Sequence, residues 1–135
     1  MTLQVGVKIF LRNPEGKFLL LKRSVAYGKT KGSWDIVGGR IEAGTGLIEN
    51  LRREVLEETK LTITSEPKLL YAQDIFVPSK DLHVVRLSFV GDTTGEPVLD
   101  TKENTDYKWL SLEELSKQED LDVYVKEILD KNLLV

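Results

Sequence analysis

The stretch from Gly38 to Leu61 leaves this chain few ways to fold. Gly38, Gly39, Gly44 and Gly46 punctuate its first part, and from Leu47 to Thr59 nothing breaks a helix. Leu47, Ile48, Leu51 and Val55 recur there at helical spacing. On that helix Glu54, Glu57 and Glu58 stand in an i, i+3, i+4 relation, so their side chains leave one face within a turn. Like charges at that spacing repel by roughly 0.2–0.5 kcal/mol per adjacent pair. A hard divalent cation with oxygen ligands, Mg²⁺ or Mn²⁺ in its place, is the natural counter-charge. A Glu-Glu pair alone is usually just a solvated helix face. The glycine loop changes its meaning, because a loop feeding a helix N-terminus lets backbone N–H groups approach an anion. A phosphate cradle beside clustered carboxylates is what metal-assisted phosphate chemistry requires.

The remaining composition sets bounds. A chain of 135 residues suits one domain, 1–135, with a core of its own. The absence of cysteine excludes a disulfide framework, a thiolate nucleophile and a Cys-based zinc site, and the single His83 excludes a multi-histidine cage. A net charge of −3 argues against binding duplex nucleic acid but not against a nucleotide arriving with its own metal. Met1-Thr2-Leu3-Gln4 begins no basic, then apolar, leader, and no apolar run spans a bilayer. The expectation is a cytoplasmic protein with no membrane partner and a small-molecule substrate; a homodimer is left open.

Along the chain, Val5, Val7, Ile9 and Leu11 alternate, predicting a strand over Gln4 to Leu11. Asn13-Pro14-Glu15-Gly16 signals a turn, and Lys17 to Arg23 continues as a second strand, so the two predict a hairpin. Arg23 leads into a loop holding Lys29 and Lys31, whose expected role is solubility, and then to Gly32-Ser33-Trp34-Asp35. Trp34 to Val37 predicts a short strand delivering the glycine loop, with Trp34 a core or rim aromatic. Beyond the helix, Leu69 to Val77 and Leu82 to Val90 predict two strands joined by Pro78-Ser79-Lys80-Asp81, and Tyr107 and Trp109 mark another. His83 is expected on a strand surface. Ser111-Leu112-Glu113-Glu114 is a capping box opening a short helix, and Leu121 to Leu134 supports a terminal helix with Val125, Ile128 and Leu129 along its stripe.

The central stretch resembles the signature box of the Nudix hydrolases, the MutT-like superfamily. Gly39 opens it, Arg53-Glu54-Val55-Leu56-Glu57-Glu58 forms its centre and Leu61 closes it. Thr45 stands where the family usually has its first Glu, and Lys60 where it has Gly. Thr45 offers a hydroxyl able to cap the helix, and Glu49, one turn before Arg53, is placed to pair with that arginine. The alternation of elements indicates an α/β or α+β fold. The resemblance implies an α/β/α sandwich with a mixed sheet and a loop-helix-loop box.

What the resemblance implies for chemistry is Mg²⁺-dependent hydrolysis of a nucleoside diphosphate linked to another group, X. Glu54, Glu57, Glu58 and the Gly39 carbonyl would hold the metal, Arg53 would orient the glutamates, and Arg23, Arg40, Gly38 and Gly39 would face substrate phosphate. Glu103, spaced before Trp109 as an acidic residue is in MutT-type chains, is the candidate general base beside Glu54 and Glu57. Nucleoside triphosphates, oxidised ones included, are favoured over ADP-ribose, whose hydrolases typically carry an added N-terminal region. The alternative is a regulatory module that binds a nucleotide with little or no catalysis, motivated by Thr45 and Lys60. An isoprenoid diphosphate isomerase of the same fold is disfavoured by the missing cysteine.

Overall fold

In the computed structural model, residues 1–24 and 33–135 are described; Lys29, Lys31 and Gly32 lie outside the described residues. Among these, seven strands form one sheet: β1 (Thr2–Arg12), β2 (Phe18–Arg23), β3 (Trp34–Asp35), β4 (Val37–Arg40), β5 (Lys68–Val77), β6 (Leu82–Asp92) and β7 (Asn104–Leu110). Helix α1 (Leu47–Thr59) packs on one face, and α2 (Leu112–Ser116) with α3 (Val123–Asp130) on the other. The result is the expected α/β/α sandwich around a mixed sheet.

The spine is β1, which runs parallel to β6 along its whole length, from Thr2 opposite Leu82 to Arg12 opposite Asp92. Because helices cover both faces, β1 and β2 are apolar on both, as such strands must be. Val7, Ile9, Leu11, Leu19 and Leu21 meet Leu51 and Val55 of α1, whereas Phe10, Phe18 and Leu20 meet Leu115, Val125 and Ile128. The alternating reading of β1 therefore captured only one of its two buried faces.

The expected β1–β2 hairpin forms, antiparallel, but only at its turn. The two strands pair only at Arg12 and Phe18, next to the turn. Beyond it β1 takes β4 as its antiparallel neighbour, Gly6 opposite Arg40 through Ile9 opposite Val37, while β2 pairs with β3 and β7. The single predicted strand Trp34 to Val37 is accordingly two. Asp35 Oδ1 accepts the Ile36 N–H at 2.8 Å, and the chain crosses from β2 to β1 at that residue. Trp34 is half-buried at the rim, with Lys108 Nζ 4.3 Å from its ring centroid. His83 lies on β6, 2.7 Å from Asp74 Oδ1 and stacked on Phe76.

Local signals held. Helix α1 has the predicted bounds, and Lys60 ends it in the left-handed conformation at φ 61°, which costs about 1 kcal/mol where glycine would be free. Ser111 and Glu114 make both bonds of the capping box. The terminal helix is shorter than expected, opening at Asp122, whose side chain accepts the N–H groups of Tyr124 and Val125.

Candidate active site

Strand β4 brings the glycine loop against α1. Gly38 adopts φ +149°, and a Cβ there would fall 2.0 Å from the Val7 carbonyl oxygen, so no other residue fits. Its N–H donates to Glu58 Oε2 at 3.0 Å. A Cβ on Gly39 would lie 2.7 Å from Glu54 Oε2, so the missing side chain is the space that the Glu54 carboxylate occupies.

The three helix glutamates project from one face into unlike surroundings. Glu57 keeps its side chain 62 % exposed, whereas Glu58 is 8 % exposed. Burial, reinforced by the charges of Glu54 and Glu103, pushes the Glu58 carboxyl up to about 7 against the pull of Lys8 and the Gly38 N–H. Burial also raises Glu54, helped by Glu57 and Glu103 and opposed by its bond from Arg53. Glu103 is half-buried, its backbone oxygen taking the Ser24 N–H, and its charge reaches both glutamates.

Arg53 Nη1 lies 3.0 Å from Glu42 Oε1, Nη2 donates to Glu54 Oε1 at 3.2 Å, and Nε is 3.8 Å from Glu57 Oε1. Two expectations are corrected here. Glu42, not Glu49, supplies the loop-side partner of Arg53, because the loop folds back over the helix. Nor does Thr45 cap the helix: Gly46 is the capping residue and no side chain serves there. Asn50 ties the loop down instead. Wholly buried, it donates to the carbonyls of Thr45 (2.9 Å) and Gly46 (2.6 Å) and accepts the Glu42 N–H (3.1 Å).

Gly39 and Arg40 also line a cleft of about 580 Å³ on the sheet face that carries α3. Arg23, Lys8, Lys80 and Arg86 add cations to its lining, and Asp35 and Asp122 add carboxylates. Its charged residues interlock. Lys8 Nζ donates to Asp35 Oδ2 at 3.2 Å, Arg86 Nη2 to Asp35 Oδ1 at 3.0 Å, and Arg86 Nη1 lies 3.3 Å from Asp122 Oδ1. Burial draws the Lys8 ammonium below its usual range, with Asp35 opposing. Arg23 Nε stands 3.9 Å from Asp35 Oδ2. Sequence reasoning picked out Arg23, Arg40 and Gly39 but missed Lys8, Asp35, Arg86 and Asp122. A signal existed. Lys8 and Arg86 each interrupt an apolar strand, and a charge in a doubly covered sheet demands a partner.

Among the described residues no three carboxylate or imidazole groups already close around a single point. The donor set nevertheless fits a hard divalent cation. Glu54 is lodged against backbone that only glycine leaves open, and burial, with like-charge neighbours added to it, holds Glu54 and Glu58 toward protonation, a cost that a cation would offset.

The architecture is that of the MutT proteins. The chain superposes on the MutT protein of Methanosarcina mazei Go1 with a TM-score of 0.81 at 27 % identity, covering 96 % of this chain and 91 % of that one. A MutT NUDIX hydrolase from Burkholderia pseudomallei shares the fold at a TM-score of 0.82 and 21 % identity, over 96 % and 98 % of the two chains. In sequence, the nucleoside triphosphatase NudI of Escherichia coli O17:K52:H18 (strain UMN026 / ExPEC) is 28 % identical over 123 residues, 85 % of this chain and 86 % of the relative. The profile of the NUDIX domain matches residues 2–131, and the chain belongs to the Nudix hydrolase superfamily, whose general chemistry is pyrophosphohydrolysis. Among the described residues no helix is long and apolar enough to cross a membrane.

Proposed function

We propose that this protein hydrolyses the diphosphate of a nucleoside diphosphate linked to X, with nucleoside triphosphates, oxidised ones included, as the favoured substrates. The observation that carries this reading is the double position of Gly39. It abuts the Glu54 carboxylate on one side and lines the cationic cleft on the other, so a nucleotide in the cleft would present its phosphates to the acidic helix. The similarity to NudI supports the triphosphate preference.

Glu54, Glu57 and Glu58 would hold Mg²⁺, or Mn²⁺ in its place, with the Gly39 carbonyl, and the bound ion supplies charge neutralisation of the diphosphate and acidification of a water. The chain's own residues do the rest. Arg53 holds Glu54 and Glu57 in place while its other nitrogen anchors the loop through Glu42. The Gly38 N–H fixes one oxygen of Glu58. Arg40 and Arg23, both lining the cleft, steady phosphate charge, a task suited to guanidinium groups. Glu103, near enough to Glu54 and Glu58 to raise both, takes the proton from the attacking water.

The test is a phosphate-release screen, coupled to pyrophosphatase or phosphatase. It covers nucleoside triphosphates (oxidised ones included), ADP-ribose, other nucleotide sugars and dinucleoside polyphosphates, with and without Mg²⁺. The expected result is metal-dependent turnover strongest on a triphosphate. Nucleotide binding without turnover in any group would replace this reading with the regulatory-module alternative.

A further inference from the structure

Residues 93–103 join β6 to β7, and their hydrogen bonds run to the acidic helix. The last carbonyls of a helix have no partner within it. Here the connection supplies two: Val98 donates its N–H to the Thr59 carbonyl at 2.9 Å and Asp100 to the Glu58 carbonyl at 3.4 Å. The chain then turns about Asp100, whose carbonyl accepts the N–H groups of Glu103 (3.1 Å) and Asn104 (3.0 Å) and whose Oδ1 accepts that of Lys102 (3.1 Å). Ser24, directly after β2, grips the same turn from the other side. Its N–H donates to the Glu103 carbonyl at 2.8 Å and its hydroxyl to the Lys102 carbonyl at 2.9 Å. Ser24 is buried, at 7 % exposed, so little water competes for those bonds. Glu103 thus stands on a bracket pinned at one end to the backbone of Glu58 and at the other to the residue that follows Arg23.

Resting on the hydrolase reading above, we propose that Ser24 and Asp100 are positioning residues that hold Glu103 at a fixed place beside the helix glutamates. A proton acceptor works only within hydrogen-bond reach of the attacking water, and a carboxylate on an unpinned loop spends much of its time outside that reach. The charge of Glu103 is felt by both Glu54 and Glu58, which places its carboxylate near the acidic cluster. Two of the bonds in the bracket, from Ser24 Oγ and to Asp100 Oδ1, are made by side chains and can be removed singly.

The experiment is steady-state kinetics with Mg²⁺ on the best triphosphate of the screen, using the full chain. Ser24→Ala is expected to lower kcat at least about tenfold with KM little changed, since the role lies in placing the base and not in binding. Asp100→Ala should do the same, whereas Asp100→Asn, which keeps the Oδ1 acceptor, should keep the rate. In a Glu103→Gln background, Ser24→Ala should change kcat by less than about twofold, because its effect runs through Glu103. A readout without metal or turnover is amide hydrogen exchange: the Glu103 and Asn104 N–H groups should exchange at least about tenfold faster in Ser24→Ala, while the middle of α1 keeps its protection. An undiminished kcat in Ser24→Ala overturns the proposal, as does an equal loss with and without Glu103, or unaltered exchange at Glu103 and Asn104. Asp100 is exposed, so the Asp100 variants decide the matter should Ser24→Ala fail to fold. Wild-type turnover that Ser24→Ala and Asp100→Ala both retain would sink this proposal alone. No wild-type turnover of any substrate in the screen would sink the hydrolase reading and take this one with it.

Discussion

Two Glu-Glu pairs in this chain, Glu57-Glu58 and Glu113-Glu114, are the same dipeptide on two helices, and the structure gives them opposite fates. Glu113 and Glu114 open α2 in solvent. The Glu114 carboxyl accepts the Ser111 N–H and is held below its usual range by that bond. Glu58 also accepts a backbone N–H, from Gly38, yet its carboxyl is pushed up to about 7 because burial outweighs that bond. The same interaction stabilises charge in one place and is overruled in the other. Desolvation grows with the water removed, whereas a single hydrogen bond adds a fixed local gain. A carboxyl raised by burial beside like charges works against folding, and such groups concentrate at functional sites.

The largest contrast expected between the pairs is in turnover. Glu57→Gln should lower kcat/KM at least about a hundredfold, equivalent to about 2.7 kcal/mol of transition-state stabilisation. Because Glu57 is exposed, its melting temperature should stay close to that of the wild type. Glu113→Gln, measured side by side, should leave both unchanged. Equal activity in the two variants would erase the distinction drawn here.

Next comes stability against pH in the metal-free protein. The folded pKa of Glu58, about 7, lies above an unfolded value near 4.5, so the folded state binds the extra proton between them. Glu58 therefore weakens the fold as pH rises through that window. The cost reaches on the order of 3 kcal/mol above pH 7 and disappears below about pH 4.5. Glu58→Gln should raise the denaturation midpoint at pH 8 and flatten this dependence, as followed by urea unfolding at a series of pH values. Glu114 has the opposite sign. Its depressed folded pKa contributes stability that is present above the unfolded value and lost as pH falls. A Glu58→Gln variant less stable than the wild type at pH 8 would show that the carboxylate is paired rather than stranded.

The smallest effect belongs to the capping box. Ser111→Ala should cost about 1 kcal/mol of stability in chemical denaturation, with turnover unchanged, because α2 packs against α3 and the sheet rather than against the cleft. Loss of activity in that variant would tie α2 to the site and blur the comparison.

The sequence by itself determined what depends on neighbours along the chain. The bounds of α1, the capping box at Ser111, the turn at Asn13 and the common face of Glu54, Glu57 and Glu58 follow from helical period, caps and turn chemistry acting over a few residues. The glycine loop was legible too, since Gly38 occupies a conformation closed to any side chain. Only the tertiary structure decided which strand lies beside which. It separated the hairpin beyond its turn by setting β4 beside β1, gave Arg53 to Glu42 rather than Glu49, and tied the loop with Asn50 in place of a cap at Thr45. It also decided that Glu58 is stranded from water while Glu57 is not, and it drew Lys8, Asp35, Arg86 and Asp122, distant in sequence, into one buried network. The physical reason is common to all of these. Burial and long-range charge pairing depend on what packs overhead, and a run of residues carries no record of its future neighbours until the sheet closes over it.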